Sequence, residues 1–257
     1  MTTAPETTDN IAPARRALRR AALLTSGAGI LFGLLTMASW YLMRADRAAL
    51  AGASDPAAPF PVADFSGSTI AGLYLLPIAA ILFLWFIVAL RGWIRRTQQR
   101  RNLLISDVQL VSGVTFVALF LVASAAIATS VVASGSEGGE ISTMTLRTLA
   151  SFGNTVMVVM GVRMAAVFVI ATASLGATTG VLPRWFSYLS YGFGLVLILT
   201  PLVEPALILA FPVWVIVLSV ILLYHLANVP EDQIPGFTAR YGAVAPNPTK
   251  PSEGLVD

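Results

Sequence analysis

Apolar residues in this chain are gathered into runs of about 20, separated by shorter polar stretches. At 1.5 Å per residue such a run matches the ~30 Å hydrocarbon core of a bilayer. Six runs are predicted as membrane-crossing helices: Ala21–Met43, Ile70–Leu90, Val108–Val132, Phe152–Leu175, Phe186–Thr200 and Ala206–Ala227. The last two form one apolar block, split by Pro201-Leu202-Val203-Glu204-Pro205. Two prolines so close together remove backbone donors and break the block into a helical hairpin. The expected fold is therefore all-α, an integral membrane bundle of six transmembrane helices over residues 21–227. A polar segment (residues 1–20) precedes it, and a proline-rich tail (228–257) that is disordered or lies along the surface follows it. The first run follows a basic stretch but is too long for a signal-peptide core and has no convincing A-x-A site behind it, so it reads as a retained helix.

The arginines orient the bundle. With six crossings, one side holds Arg15, Arg16, Arg19, Arg20, Arg91, Arg95, Arg96, Arg100, Arg101, Arg184, Arg240 and Lys250, while the other holds Arg44, Arg47 and Arg147. Twelve cations against three place both termini in the cytoplasm by the positive-inside rule. Trp40, Tyr41, Trp93, Trp185, Tyr188 and Tyr224 fall near span ends, where amphipathic rings prefer to lie.

Composition narrows the chemistry. The chain is 56% hydrophobic and 11% charged, with a mean hydropathy of +0.79, outside the range of soluble domains. The sequence pI of 9.6 comes from arginines beside apolar runs, a pattern of membrane orientation rather than nucleic-acid binding. There is no cysteine, so disulfides, thiolate catalysis and cysteine-ligated metals are excluded. A single lysine against fifteen arginines suggests a GC-rich bacterial genome and, with the hydropathy, a plasma-membrane location. No cofactor or metal motif is present. His225 has no carboxylate or nucleophile placed beside it, so no catalytic triad can be built. The acids Asp46, Asp55 and Asp64 of the first outer loop are too widely spaced for a calcium loop and read as solvated. Ser106-Asp107-Val108-Gln109 has the form of a capping box at the start of the third span.

Arg163 is the candidate of most interest, since it stands within an otherwise lipid-soluble run. A cation at mid-bilayer costs roughly 2.5–3.5 kcal/mol on insertion scales, so it needs a partner or a task. Arg147, Asn154 and Gly161 recur at seven-residue spacing and share a helix face. Arg163, nine residues beyond Asn154, falls close to the opposite face of a uniform helix. Leu175 lies about 18 Å further along the axis, too far for easy snorkelling. The expectation is a buried guanidinium donating to carbonyls, hydroxyls or an acid of another span, either locking the bundle or, together with Asn154, handling a ligand. Glu204, near the outer surface, caps the sixth span or pairs with Arg147. Gly29 and Gly33 form a GxxxG extended backward by Gly27, which allows close helix packing within the monomer or at a dimer face. Pro77 and Pro212 are expected to kink their helices. Whether residues 141–151 extend the fourth helix is open at this level.

Four stretches carry a resemblance: Tyr74–Leu90 (YLLPIAAILFLWFIVAL), Arg163–Phe168 (RMAAVF), Leu182–Trp185 (LPRW) and Phe211–Val215 (FPVWV). Together they resemble a group of uncharacterised actinobacterial polytopic membrane proteins, over residues 70–226. The resemblance implies that Arg163 belongs to a shared motif and implies no activity. The chain departs from the pattern in its inner loop after the second span, where Arg-Arg-Thr-Gln-Gln-Arg-Arg holds no acid.

Three classes follow. One is a non-catalytic bundle acting as an accessory or assembly subunit, whose partners are the lipid bilayer and a second membrane protein or another copy of itself. Another is a small solute transporter or channel built on Arg163 and Asn154. The last, an intramembrane enzyme, needs clustered His, Asp, Glu or Ser at one depth, and the sequence supplies no such cluster. The first is the expected class.

Overall fold

The structure, a computed structural model, describes residues 11–52, 66–97, 103–134, 143–180, 182–199 and 206–228. All the secondary structure among them is helical. In chain order the elements are α1 (Ile11–Gly52), α2 (Gly67–Thr97), α3 (Leu103–Ser134), α4 (Thr143–Thr155), a π turn (Val156–Gly161), α5 (Val162–Thr179), α6 (Arg184–Leu199) and α7 (Ala206–Asn228). Four helical stretches are long and apolar enough to cross a membrane: Leu23–Asp46, Gly67–Gly92, Leu103–Thr129 and Met144–Thr179. Ile208–Tyr224 adds a shorter apolar helix. At 16 residues, α6 reaches about 24 Å.

The helices extend past the apolar runs that define them. α1 begins within the polar N-terminal segment and includes Arg15–Arg20. The question over residues 141–151 is answered by a helix that starts at Thr143 and continues through α4, the π turn and α5. Its apolar part, Met144–Thr179, has 36 residues and is about 54 Å long. α2 and α7 continue through Pro77 and Pro212. The expected break at 201–205 and the tail from 229 onward lie outside the described residues.

Connections are set by local chemistry. Ser66 caps α2, its hydroxyl accepting from the Thr69 amide at 3.4 Å. Asp46, at the far end of α1, accepts from the Ser66 amide at 2.8 Å and hydroxyl at 2.9 Å. The carboxylate expected to be merely solvated therefore ties two helix ends together. α5 stops at Gly180, whose φ of 70° is left-handed, a conformation glycine adopts without a Cβ penalty. The Leu182 amide then reaches back to the Gly176 carbonyl at 3.3 Å, and the Leu182 side chain occupies the space a Cβ on Gly176 would need.

Packing runs round the bundle. α1 lies against α2 and α7, α3 lies between α2 and the α4–π–α5 rod, and α6 packs on α5. Phe186 of α6 stacks on Trp214 of α7, which closes the circuit. The distribution of polarity is that of a protein dissolved in hydrocarbon. Small hydroxyls such as Ser26, Ser39, Thr172, Ser190 and Ser219 are buried between helices, while Trp85, Leu104 and Leu199 are exposed. In water that arrangement would expose far more apolar area than a soluble monomer tolerates. In lipid it is the ordinary solution, because small residues let helix backbones approach.

Candidate functional site

Arg163 takes its environment from the π turn. The segment Val156-Met157-Val158-Val159-Met160-Gly161 carries three β-branched residues and ends on glycine, residues that weaken an α-helical ladder. Its hydrogen bonds span five residues, as in the bond from the Val162 amide to the Met157 carbonyl. When the ladder returns to four-residue spacing, one carbonyl is left without a backbone donor. Arg163 supplies the missing donor, its Nη1 bonding the Val158 carbonyl at 2.9 Å and the Val159 carbonyl at 2.8 Å. Helical side chains point toward their own N-terminus, so the guanidinium reaches back along its rod onto those oxygens.

Its depth can be placed from helix contacts. A Cβ on Gly113 of α3 would meet Phe168, and one on Gly153 would meet the Ala123 carbonyl at 2.8 Å. Arg163 lies between Phe168 and Gly153 along its rod, and so opposite the middle of α3. The guanidinium thus lies midway along the apolar stretch, partly buried, with Nη1 donating to carbonyls of its own helix. Among the described residues, no hydrogen bond or ion pair joins it to another helix.

Asn154 is half-buried in the last turn of α4. Its expected face relation to Arg163 assumed 100° per residue throughout. The π turn intervenes and holds about one more residue per turn, so the relation does not apply. Among the described residues, no hydrogen bond links the two side chains. Arg147 and Asn154 share α4 without interruption and therefore one face, whereas Gly161 comes after the wider winding and is buried with Met157 Sδ beside it. Arg147 is half-buried. Glu204 lies outside the described residues, and with it the Arg147–Glu204 pair. Gly29 and Gly33 face α7: a Cβ on Gly29 would overlap Ser219 Oγ, and one on Gly33 would overlap Ile216 and lie 3.0 Å from the Pro212 carbonyl. Around Gly27 nothing lies within 4 Å, so it is not part of that contact.

The capping box expected at Ser106–Gln109 does not form, because α3 begins earlier, at Leu103. Ser106 and Gln109 instead point into the bundle. Among the described residues, Ser106 Oγ is buried without a hydrogen-bond partner. Gln109 is fully buried and donates to the Thr172 hydroxyl at 2.9 Å, joining α3 to α5. Asp107, between them, faces outward and pairs with Arg91 of α2.

Two features were not foreseen. The first is an aromatic hub at the middle of the bundle, with one phenylalanine from each of five helices: Phe32, Phe83, Phe116, Phe168 and Phe211, all at most 1% exposed. Phe83 is its centre, with ring centroids 4.5 Å from Phe32 and 5.5 Å from Phe116, Phe168 and Phe211. Each such pair adds about 0.5–1.5 kcal/mol beyond area burial. In a sequence that is apolar all round, the only signal of the hub was that FPVWV and RMAAVF place large rings in otherwise aliphatic runs.

The second is a set of hydroxyl and amide contacts on the Arg91 side of the hub. Trp214 Nε1 donates to Ser190 Oγ at 3.0 Å, and Tyr191 donates to Ser174 Oγ at 2.9 Å. Among the described residues, Gln109 Oε1, Ser106 Oγ, Ser187 Oγ and Ser219 Oγ are buried without hydrogen-bond partners, the kind of polar atom that ordered water commonly serves. Among the described residues, no three His, Asp or Glu side chains come together, and none of these hydroxyls has a general base beside it. The arrangement holds helices together and offers polar lining, but presents no nucleophile–base pair. Comparison of the chain with protein-family models, curated proteins and solved structures returned no match.

Proposed function

We propose that this protein is a non-catalytic, multi-pass subunit of a bacterial plasma-membrane complex, serving its assembly or stability. The observation that supports this reading is the aromatic hub. Five phenylalanines from five helices fill the axis at mid-depth, where a solute pathway would have to run. Arg163, the residue a transporter reading depends on, uses its Nη1 on its own helix instead of meeting Asn154 across a cavity. α6 and α7 complete six crossings with both termini cytoplasmic, a threading supported by the twelve-to-three distribution of cations. The four resemblance segments fit an actinobacterial polytopic family and add no activity.

The test is purification of the full chain in mild detergent, with the masses of intact complexes measured. A stoichiometric partner is the expected result, while a clean monomer overturns the reading. Reporter fusions at the two ends test the threading, and ends in different compartments overturn it. A second reading, a small solute transporter, is favoured by the partnerless buried polar atoms Gln109 Oε1, Ser106 Oγ, Ser187 Oγ and Ser219 Oγ. Arg163→Met separates the two. Solute flux lost at normal abundance favours transport, and lost abundance favours the structural role.

A further inference from the structure

Both Nη1 hydrogens of Arg163 are engaged by the Val158 and Val159 carbonyls. Its Nε and Nη2 make no hydrogen bond among the described residues, and those nitrogens form the edge that grips a carboxylate through two parallel bonds. Which carboxylate can arrive there is decided by where α6 stops and α7 starts. α6 packs on α5 in the opposite direction. A Cβ on Gly194 would overlap Ile170 and lie 3.3 Å from the Ala166 carbonyl, while Leu197 packs with Val162 and Ala166. α6 therefore ends, at Leu199, about level with Arg163. α7 begins at Ala206 and comes into contact with the π turn. Phe211 and Phe168 meet in the aromatic hub. Ala206 stands five residues outward of the first and Arg163 five residues outward of the second, each about 7.5 Å along its helix. Both helix ends thus lie at the depth of Arg163. The Asp46–Ser66 contact is farther out, since Asp46 is fourteen residues from Phe32 of the hub, about 21 Å.

Residues 200–205 link the two ends, and Glu204 is their one charged residue. Standing two residues before Ala206, it has a Cα no more than about 7 Å from that of Ala206, the reach of an extended chain. Arg147 is sixteen residues outward of Arg163, about 24 Å along the rod, beyond the reach of that chain and a glutamate side chain together. We propose that the Glu204 carboxylate accepts from Nε and Nη2 of Arg163, in place of the Arg147–Glu204 pair expected from the sequence. The ion pair pins the α6–α7 connection to the π turn. Each charge is costly alone at this depth of an apolar stretch, and each supplies what the other lacks. The π turn adds the orientation: by taking Nη1 onto its own carbonyls, it leaves the carboxylate-gripping edge of the guanidinium free. This pairing is internal to the chain and does not rest on the subunit reading.

The experiment is a double-mutant cycle on the full chain, reading the amount of monodisperse protein that survives heating in mild detergent. Arg163→Gln keeps an amide donor for the π-turn carbonyls, and Glu204→Gln keeps the shape of the carboxylate. Each alone leaves one charge without its partner and is expected to lower the surviving fraction about tenfold or more. The double variant removes both charges and is expected to recover most of that loss. If Arg163→Gln alone fails to accumulate, its recovery by Glu204→Gln reads the same coupling. Glu204→Lys, which sets two cations together, is expected to lose more than Glu204→Gln. The same cycle run with Arg147→Gln and Glu204→Gln is expected to be additive. Additive losses for Arg163 and Glu204, a Glu204→Gln variant as stable as the parent, or coupling of Glu204 to Arg147 instead overturns the inference.

Discussion

Gln109 donates its amide to the Thr172 hydroxyl at 2.9 Å, and neither residue is more than 1% exposed. This bond crosses from α3 to α5 inside a hydrocarbon-soluble bundle. Removing one partner strands the other. Thr172→Val is expected to destabilise the protein by about 1 kcal/mol, within the range measured for interhelical bonds in membranes. Adding Gln109→Leu should recover part of that loss, because a satisfied apolar pair replaces a stranded amide. Unfolding by a denaturing detergent, followed by tryptophan fluorescence, reads both variants. Additive losses would show that the two side chains do not act as a pair.

Phe83 holds the centre of the aromatic hub, so truncating it opens a cavity between five helices. Phe83→Ala is expected to cost about 3–5 kcal/mol and to abolish a monodisperse peak in detergent. Trp85→Ala, two residues away but facing lipid, should stay within about 0.5 kcal/mol. Equal losses at the two positions would mean that the hub contributes nothing special.

The glycines of α1 make a graded test. Gly27→Ala meets open space and should be neutral or stabilise through helix propensity by up to about 1 kcal/mol. Gly29→Ala drives a methyl into Ser219 and Phe86 and should cost about 1–3 kcal/mol. Thermal aggregation in detergent ranks them. The reverse order would contradict the α1–α7 packing.

Ser66→Ala removes both the cap of α2 and the hydroxyl that Asp46 accepts from. About 1 kcal/mol of local stability should be lost, seen as faster hydrogen exchange at the Thr69 amide while the Phe83 amide stays protected. Uniform acceleration along α2 would show instead that the cap supports the whole helix.

Legibility in the sequence followed the solvent. Runs of apolar residues announce a helix in lipid because every backbone group must be satisfied within its own segment, and so the helical class could be read residue by residue. Boundaries were less readable. Polar residues such as Arg15, Arg16, Arg19 and Arg20 sustain a helix as well as apolar ones do, so the change from apolar to polar sequence does not mark where a helix starts or stops. The capping-box expectation at Ser106 failed for the same reason: a local motif cannot report that the helix had already begun at Leu103 and turned that face inward.

The sequence by itself determined that the described chain is helical, that its helices suit hydrocarbon, and that Arg163 needs acceptors. Each of these follows from the chemistry of single residues or short runs. Only the tertiary structure decided which acceptors Arg163 takes, which rings meet at Phe83, and which glycine of α1 is in contact. Those outcomes depend on how helices that are apolar all round rotate against one another, and an insertion of one residue in a π turn is enough to re-aim every side chain beyond it.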